Sequence, residues 1–173
     1  MTTSQQPLTK SGTSRSSPVE IDPRGPQFNA MLTSLVLALS LIAAPGAVGV
    51  ALLGVQAALF AAAVAFGVQR TPAAYLFRTF VRPQLAAPAH LEDPTPPRFA
   101  QGVGLVFALV GLAGYFSGAL LVGAIATGFA LAAALLNAVF GFCLGCEMYL
   151  LFRRISSKRT SVNENPKKEE AVA

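Results

Sequence analysis

The chain has 173 residues, of which 53% are hydrophobic and only 12% are charged, and its formal net charge is +5. Soluble globular domains carry about 25% charged residues, so this composition excludes an ordinary soluble enzyme and indicates a membrane protein. The positive charge does not indicate nucleic-acid binding, because the basic residues flank apolar segments and form no run interleaved with aromatics. We therefore expect a lipid bilayer, and not nucleic acid, as the first partner of this chain.

Polar tails flank the apolar part of the sequence. Residues 1–20 are rich in Ser, Thr, Gln and Pro. They lack the aliphatic side chains that offset the entropy of ordering, so we predict a disordered tail that, with a short lead-in, extends to residue 26. This tail is not a signal peptide, since the apolar segment behind it begins too late and is too long for an h-region. Residues 153–173 are rich in charge and predict a second disordered tail.

Four apolar segments are long enough to cross a membrane, and with their linker they form a predicted membrane domain at residues 27–152. The spans are predicted at about 28–44, 46–68, 99–116 and 119–142. About 20 apolar residues cross a hydrocarbon core as an α-helix, and 17 are enough for the shortest spans. Uncharged turns join the first span to the second and the third to the fourth. The predicted fold is therefore an all-α integral membrane four-helix bundle.

The linker between the second and third spans, residues 69–98, is rich in proline and charge. Residues 73–82 predict a short interfacial helix with apolar side chains on lipid and arginines toward the headgroups. The apolar side chains are Leu76, Phe77, Phe80 and Val81. Further on, His90, Glu92 and Asp93 could suggest a metal site. Their spacing matches no ligand pattern, however, so we interpret this stretch as a solvated loop.

The two halves of the chain resemble each other at fixed offsets. Matched residues lie 71 apart near the start of each half (93 − 22) and 74 apart further along (123 − 49). The early matches are Asp22 with Asp93, Pro26 with Pro97, and Phe28 with Phe99. The later matches include Gly49 with Gly123, and Phe66-Gly67 with Phe140-Gly141. Since each half contains two spans, both halves enter the membrane in the same direction, which predicts two parallel two-helix repeats.

The basic residues near the spans predict the orientation of the protein. They all lie on one side of the predicted bundle: Lys10, Arg15, Arg24, Arg70, Arg78, Arg82, Arg98, Arg153 and Arg154. The two short turns on the other side carry no charge. By the positive-inside rule, both termini and the linker are cytoplasmic. We therefore predict a multi-pass protein of the cell membrane.

The only two cysteines, Cys143 and Cys146, form a C-x-x-C pair that is followed directly by Glu147. At the offset of 74 the cysteines correspond to Gln69 and Pro72, where the first half leaves the membrane. We therefore expect them at the cytoplasmic interface or about one turn below it. Residues three and four apart share a helix face, so the two thiols and the carboxylate can act together.

Several roles fit this dithiol. Cysteines can pack as small apolar side chains, or they can exchange disulfides with a cytosolic thioredoxin-like protein or a membrane quinone. A metal site is disfavoured, because a tetrahedral site needs four ligands and fewer are at hand. A small-solute transporter, built as a homo-oligomer, requires a water-accessible cavity lined by Gln56 or Asn137. For Asn137, a hydrogen bond between helices is the simpler interpretation.

The reactivity of the thiols depends on where the last helix breaks. If the motif closes the fourth span, the helix dipole and Glu147 both oppose ionisation of a thiol. If Gly141 and Gly145 break the helix and a new helix starts near Cys146, its N-terminus favours a thiolate. In the redox hypothesis, Cys143 and Cys146 are the reactive pair and Glu147 is the local base that takes a thiol proton. This chemistry requires no cofactor.

Three stretches of the sequence carry a resemblance: residues 22–28, 92–101 and 142–149, the last with a C-x-G-C-E ending. They are similar to a bacterial family of small integral membrane proteins classified only as a domain of unknown function, and the resemblance covers about Asp22 to Arg154. It implies a multi-span membrane protein without an assigned activity, in the company of thioredoxin-like or sulfurtransferase proteins. Our first hypothesis is a cytoplasm-facing membrane dithiol protein that exchanges electrons or sulfur with such a soluble partner. A non-catalytic membrane scaffold is the second.

Overall fold

Four long helices form the body of the protein in the computed structural model, which describes residues 21–86, 88 and 91–162. They are α1 (Arg24–Ala43), α2 (Ala47–Phe66), α4 (Thr95–Phe116) and α5 (Leu120–Phe140). Each is long and apolar enough to cross a membrane. The shorter helices are α3 (Pro72–Leu76), in the linker, and α6 (Leu144–Val162), which follows α5. The prediction of an all-α fold with four long apolar helices is confirmed.

The two helical hairpins pack as a ring. α1 contacts α2 and α5, and α4 contacts the same two helices. α1 therefore lies diagonally across the ring from α4, and α2 lies diagonally across from α5. Both α1 and α4 begin at the end of the bundle where α2 and α5 finish, which we call the linker end. This is the arrangement expected for two parallel two-helix repeats.

Two equivalent hydrogen bonds join the halves at the linker end, and we call them the end clamps. The Arg98 guanidinium donates to the carbonyl of Val64 near the end of α2, at 2.7 Å. The Gln27 amide donates to the carbonyl of Ala138 near the end of α5, at 3.2 Å. The donors are 71 residues apart and the acceptors 74 apart, so the clamps obey the repeat. Each clamp satisfies a terminal carbonyl that has no partner within its own helix.

The centre of the bundle is built mainly from small and medium-sized side chains: Leu37, Leu53, Ala57, Phe60, Ala108 and Ala130. Between α4 and α5 the backbones touch, because a Cβ on Gly114 would lie 2.5 Å from the backbone nitrogen of Gly123. Close backbone approach and van der Waals contact drive helix association in lipid, where hydrophobic burial contributes little. Large apolar side chains cover the outside of the bundle, as a lipid-facing surface requires.

The linker contains several short helical segments where the sequence predicted one helix over 73–82. After α3 the chain forms a π-helical turn at Phe77–Val81 and a 3₁₀ turn at Arg82–Gln84. Phe77, which we expected on lipid, is buried, so that prediction is wrong. Its ring packs on the ring of Phe28 in α1, with the centroids 5.9 Å apart. Phe80 does lie on the exposed side of this segment.

The segments that flank the bundle are more ordered than the sequence predicted. Ile21, in the expected disordered lead-in, is buried and forms an isolated antiparallel bridge with Glu92. α1 begins at Arg24, and Pro26 lies in its first turn. Proline is tolerated there because the first N–H groups of a helix have no partner within the helix. α6 continues to Val162, into the predicted disordered tail, because no Gly or Pro interrupts the chain after its first turn. The predictions for residues 1–20, His90 and residues 163–173 lie outside the described residues.

Candidate functional site

A helix break separates the cysteines from the fourth long helix. α5 ends at Phe140, and Gly141 adopts a left-handed conformation with φ 66°. The Gly141 N–H donates to the carbonyl of Asn137 at 3.0 Å, which closes the end of α5. Glycine suits this position, because residues with a Cβ rarely adopt positive φ. α6 then begins at Leu144, so the C-x-x-C motif opens a new helix and does not close the long one.

Cys143 directly precedes α6 and acts as its N-cap. Its Sγ accepts a hydrogen bond from the backbone N–H of Cys146 at 3.4 Å. Its carbonyl accepts the backbone N–H of Glu147 at 3.1 Å. The first N–H groups of a helix have no partner within the helix, and they carry a partial positive charge. The start of α6 therefore favours a thiolate at Cys143 over the neutral thiol.

A disulfide joins Cys143 and Cys146 in the structure. The two Cα atoms are 5.2 Å apart, which lies in the usual range for disulfide-bonded residues. Both residues are half-buried, so the pair is neither sealed in the core nor fully exposed. Residues three apart share one face of a helix, so the C-x-x-C spacing keeps the two sulfurs close together.

Glu147 lies in the first turn of α6, and its side chain is exposed. A carboxylate there stabilises the helix, because it lies near the positive end of the helix dipole. The same charge opposes a thiolate on the neighbouring cysteines, so it partly offsets the effect of the helix end. The role of Glu147 as a local base stays a prediction.

Two contacts fix α6 against the start of α4. A Cβ on Gly145 would lie 2.6 Å from the Cα of Ala100, so only glycine allows this close approach. One turn further along, the rings of Tyr149 and Phe99 pack with their centroids 5.8 Å apart. The glycine inside the C-x-G-C motif thus holds the dithiol at the linker end of the bundle.

A cavity of about 300 Å³ lies beside the disulfide, among α1, α4, α5 and the start of α6, and we call it the dithiol cavity. Cys143 lines it, whereas Cys146 does not. Most of its wall is apolar, but three side-chain amides also line it: Asn29, Gln101 and Asn137. Within the described residues, none of these three amides forms a hydrogen bond. The Asn137 side chain therefore does not form the predicted interhelical hydrogen bond with any residue that the structure describes.

A second cavity of about 270 Å³ occupies the repeat-equivalent place in the first half, and we call it the first-half cavity. Its wall includes Ala63, Gln69 and Thr71, which correspond at the offset of 74 to Asn137, Cys143 and Gly145. Arg78 and Arg82 line it as well. The two cavities adjoin, since Asn29 and Gln101 are part of both walls. The second half thus has the amide of Asn137 where the first half has the methyl group of Ala63, and the sulfur of Cys143 where the first half has the amide of Gln69.

Other residues that the sequence singled out have structural partners. Gln56 is buried and donates from its amide to the hydroxyl of Thr33 at 3.4 Å, and it lines neither of these two cavities. Asp93 accepts hydrogen bonds from the hydroxyl and the backbone N–H of Thr95, and both bonds lower the pKa of the Asp93 carboxyl. No group of three His, Cys, Asp or Glu that could hold a metal ion occurs among the described residues, which do not include His90.

Asn29 and Gln101 were not predicted as site residues. They lie in the early turns of α1 and α4, at opposite corners of the ring, and come together only in the bundle. The available signal was a side-chain amide inside an apolar segment, the same signal that singled out Asn137. An amide near the end of a span is also typical of the headgroup region, so the sequence alone does not separate the two cases.

A family model described as a domain of unknown function (DUF4395) matches residues 21–154 of the chain. This match takes in both hairpins, the linker and the dithiol, and the chain therefore belongs to that family. Comparisons with curated proteins and with solved structures found no match. Since the family description assigns no activity, the function has to be inferred from the geometry of the site.

Proposed function

We propose that this membrane protein exchanges disulfides with a soluble dithiol protein of the thioredoxin-like class, through Cys143 and Cys146. The observation that carries the proposal is the hydrogen bond from the Cys146 N–H to the Cys143 sulfur, at 3.4 Å, at the start of α6. Reactive C-x-x-C pairs occur at helix N-termini, because the helix end stabilises the thiolate that attacks or leaves. Cysteines that only fill space have no need of this position.

The proposed reaction takes place on the cytoplasmic side. The linker end carries the dithiol and a set of arginines, whereas the two hairpin turns carry no charge. The arginines are Arg24, Arg70, Arg78, Arg82, Arg98 and Arg153. Basic residues are retained on the cytoplasmic side of membrane proteins, which supports this orientation. A soluble partner then reaches the half-buried sulfurs from the cytoplasm.

The exchange begins when a thiolate of the partner attacks the sulfur of Cys146. The bond between Cys146 and Cys143 breaks, a bond forms between Cys146 and the partner, and Cys143 leaves with the electron pair as a thiolate. A more stable thiolate leaves faster, so the N-cap position of Cys143 speeds this step. A second thiolate of the partner then displaces Cys146, which releases the partner as a disulfide. Glu147, next to Cys146 in the chain, is the proposed carrier of the proton that Cys146 takes up.

Alkylation of single-cysteine variants tests this assignment. We expect Cys143, in the Cys146→Ser variant, to react with iodoacetamide at neutral pH at least about tenfold faster than Cys146 in the Cys143→Ser variant. The rate for Cys143 should also level off at a lower pH. In protein unfolded with dodecyl sulfate the two rates should converge, which controls for intrinsic reactivity. Two slow rates that rise alike into the alkaline range would contradict the proposal and leave a packing role for the cysteines.

Capture of a mixed disulfide tests the partner class. The probe is a thioredoxin with one cysteine, activated as its mixed disulfide with thionitrobenzoate. We expect the Cys143→Ser variant to accumulate a covalent adduct through Cys146, because no internal thiol remains to displace the probe. The wild-type protein should release the probe rapidly, and a variant without either cysteine should form no adduct. Failure of the Cys143→Ser variant to form the adduct would contradict exchange with this class of partner.

A further inference from the structure

The dithiol cavity combines the sulfur of Cys143 with side-chain amides that form no hydrogen bond to any described residue. From this combination, and on the premise of the disulfide exchange proposed above, we infer that the cavity binds a membrane-soluble quinone that reoxidises the Cys143–Cys146 dithiol. The soluble partner would then deliver electrons to the dithiol, and the quinone would remove them. The cavity, its amides, the asymmetry of the repeat and the lipid-facing wall each support this inference.

The amides call for a ligand with hydrogen-bond acceptors. Asn29, Gln101 and Asn137 line one cavity in a bundle of apolar helices and form no hydrogen bond within the described residues. All three are half-buried, so their N–H groups remain open to a ligand in the cavity, and polar side chains inside apolar spans commonly mark a substrate site. A quinone ring presents two carbonyl oxygens on opposite edges, and amide N–H groups on different helices can donate to both. The rest of the wall is apolar and suits the ring face and the start of an isoprenoid tail.

The asymmetry of the repeat ties the amide of Asn137 to the thiols. The position equivalent to Asn137 in the first half is Ala63, and the position equivalent to Cys143 is Gln69. Both pairs line their respective cavities. Packing of this fold therefore does not require an amide at position 137, since the first half packs with a methyl group there. The amide accompanies the reactive sulfur, as expected for a group that positions a substrate against it.

The wall of the dithiol cavity reaches the lipid-facing surface. Phe107 and Phe129 line it as a ring pair with centroids 6.2 Å apart, and the Phe129 side chain is 62% exposed. Met148 of α6 also lines the cavity and is 44% exposed. α6 packs chiefly on α4 and has few contacts with α5. A molecule dissolved in the bilayer can therefore approach Cys143 from the side of the bundle, between α5 and α6.

The volume of the cavity suits the ring of such a molecule. Small-molecule sites usually measure about 300 to 1,000 Å³, and the dithiol cavity, at about 300 Å³, is at the lower end of that range. The ring and the first part of its tail would fill this space, and the remainder of the tail would lie in lipid. Cys143, which lines the cavity, is then the sulfur that meets the ring, while Cys146 remains on the partner's side.

The reaction balances as a two-electron transfer. The reduced protein holds two thiols, which lose two electrons and two protons as the bond between Cys143 and Cys146 forms. The quinone gains the same two electrons and two protons and leaves as a hydroquinone. The stabilised Cys143 thiolate supplies the one electron pair that passes to the ring, and Cys146 then attacks the Cys143 sulfur, loses its proton and closes the disulfide. The soluble dithiol partner then reduces this disulfide again and completes the cycle.

Binding is tested in a protein without thiols, so that the site is measured apart from its chemistry. The Cys143→Ser/Cys146→Ser protein in detergent is titrated with decylubiquinone, whose fully substituted ring does not alkylate thiols. We expect saturating probe to raise the thermal midpoint by roughly 5 °C. Adding Ala133→Leu, which fills the cavity wall, should abolish the shift. Adding Ala132→Leu, on the exposed neighbouring position of α5, is the matched control and should preserve it.

Turnover is tested with the native cysteines. Reduced protein mixed with decylubiquinone should form one hydroquinone for each disulfide, followed by absorbance and by loss of free thiols. Asn137→Leu should slow this oxidation at least about tenfold, since it removes a hydrogen-bond donor to the ring. The same variant should form its disulfide at the wild-type rate with oxidised glutathione, which reports on the fold of the dithiol and on the thiols themselves.

The outcomes separate the two proposals. No thermal shift, or equal shifts in the Ala132→Leu and Ala133→Leu proteins, would overturn the quinone site, and the thioredoxin adduct would still stand as evidence for exchange. Equal oxidation rates in the wild-type and Asn137→Leu proteins would also overturn it. If decylubiquinone oxidises the dithiol but the thioredoxin probe gives no adduct, the quinone site stands and the soluble partner class is wrong.

Discussion

The two halves leave the bundle through turns that begin alike and end differently. The second helix of each half closes with a Phe-Gly pair in which the glycine has a positive φ: Phe66-Gly67 after α2 and Phe140-Gly141 after α5. In the first half a 3₁₀ turn follows, and the Thr71 hydroxyl then caps α3 by accepting the N–H of Ala74 at 3.2 Å. In the second half α6 begins almost at once, and the sulfur of Cys143 takes the cap position.

In the proposed function, this difference places the reactive sulfur at a position that is structural in the first half. In the repeat, the capping residue Thr71 corresponds to Gly145, whereas the capping residue Cys143 corresponds to Gln69. The helix cap of the second half therefore lies two residues earlier than that of the first half. A hydroxyl cap satisfies helix N–H groups and does nothing further. A sulfur at the cap satisfies the same groups less strongly, but a helix end can stabilise a thiolate there, which is what the proposed exchange requires. The comparison predicts which substitutions affect both turns and which affect only one.

The largest effect is expected at Gly145. The Gly145→Ala substitution adds a Cβ that would lie 2.6 Å from the Cα of Ala100. The clash is costly because the backbone of α4 cannot move aside as the end of a flexible side chain can. We expect the free energy of unfolding in detergent to fall by about 3 kcal/mol, the upper part of the range for overpacking. Gly128→Ala, in open space on α5, is the control and should be neutral or slightly stabilising. Equal stability of the two variants would contradict the close contact between α6 and α4.

The two glycines that end the long helices should differ in their tolerance of asparagine. Gly141 is in the left-handed helical region, with φ 66° and ψ 11°, which asparagine adopts at small cost. Gly67, with φ 91° and ψ 150°, is in a region open almost only to glycine. We expect Gly67→Asn to lower the free energy of unfolding by about 2 kcal/mol and Gly141→Asn by less than about 1 kcal/mol. Thermal or chemical unfolding in detergent measures both, and the reverse order would contradict the assigned conformations.

Moving the motif to the first half should give a less reactive pair. The Gln69→Cys/Pro72→Cys change, made in a protein whose own cysteines are replaced by serine, puts thiols at the equivalent positions. The thiol introduced at position 69 lies in the 3₁₀ turn ahead of the Thr71 cap, so it faces no free helix N-terminus. We expect it to be alkylated about tenfold more slowly than Cys143 at neutral pH. Equal rates would mean that the interface, and not the helix start, activates the native pair.

The smallest effect concerns the lead-in of each half, where an aspartate carboxylate accepts the first N–H group of the following helix. The Thr95 hydroxyl and N–H lower the pKa of Asp93 below its ordinary value of 3.8. The resulting stabilisation is therefore present above about pH 4 and is lost as the pH falls through the lowered pKa. In Asp93→Asn, the free energy of unfolding in detergent should no longer show this loss when it is measured as the pH is lowered below about 4. Asp22→Asn is the matched control, because there Arg24 takes the place of the hydroxyl-bearing Thr95.

Much of the fold could be predicted from the sequence, because apolar length and the offsets of 71 and 74 determine where helices begin, end and correspond. Contacts between distant segments could not be predicted. Phe77 has the spacing of a lipid-facing residue, yet its ring is buried on Phe28 since the linker folds back on α1. Glu92 is a charged residue in a Pro-rich stretch, and its backbone pairing with Ile21 has no signal in side-chain pattern.

The candidate site was predictable in position but not in electrostatics. The repeat correctly associates Cys143 with the end of a long helix at the linker end. Whether Gly141 lies within a helix or ends one cannot be decided from composition, because glycine is compatible with both. That single conformation determines whether a helix end opposes or favours a thiolate. The dithiol cavity was not predictable either, since Asn29, Gln101 and Asn137 come from three helices that are distant in the chain.

The end clamps have a consequence for how this protein can be assembled from pieces. Arg98 reaches across to α2, and Gln27 reaches across to α5, so each hairpin is closed by a hydrogen bond from the other. Two hairpins made as separate polypeptides would therefore meet the same donors and acceptors and could reconstitute the bundle.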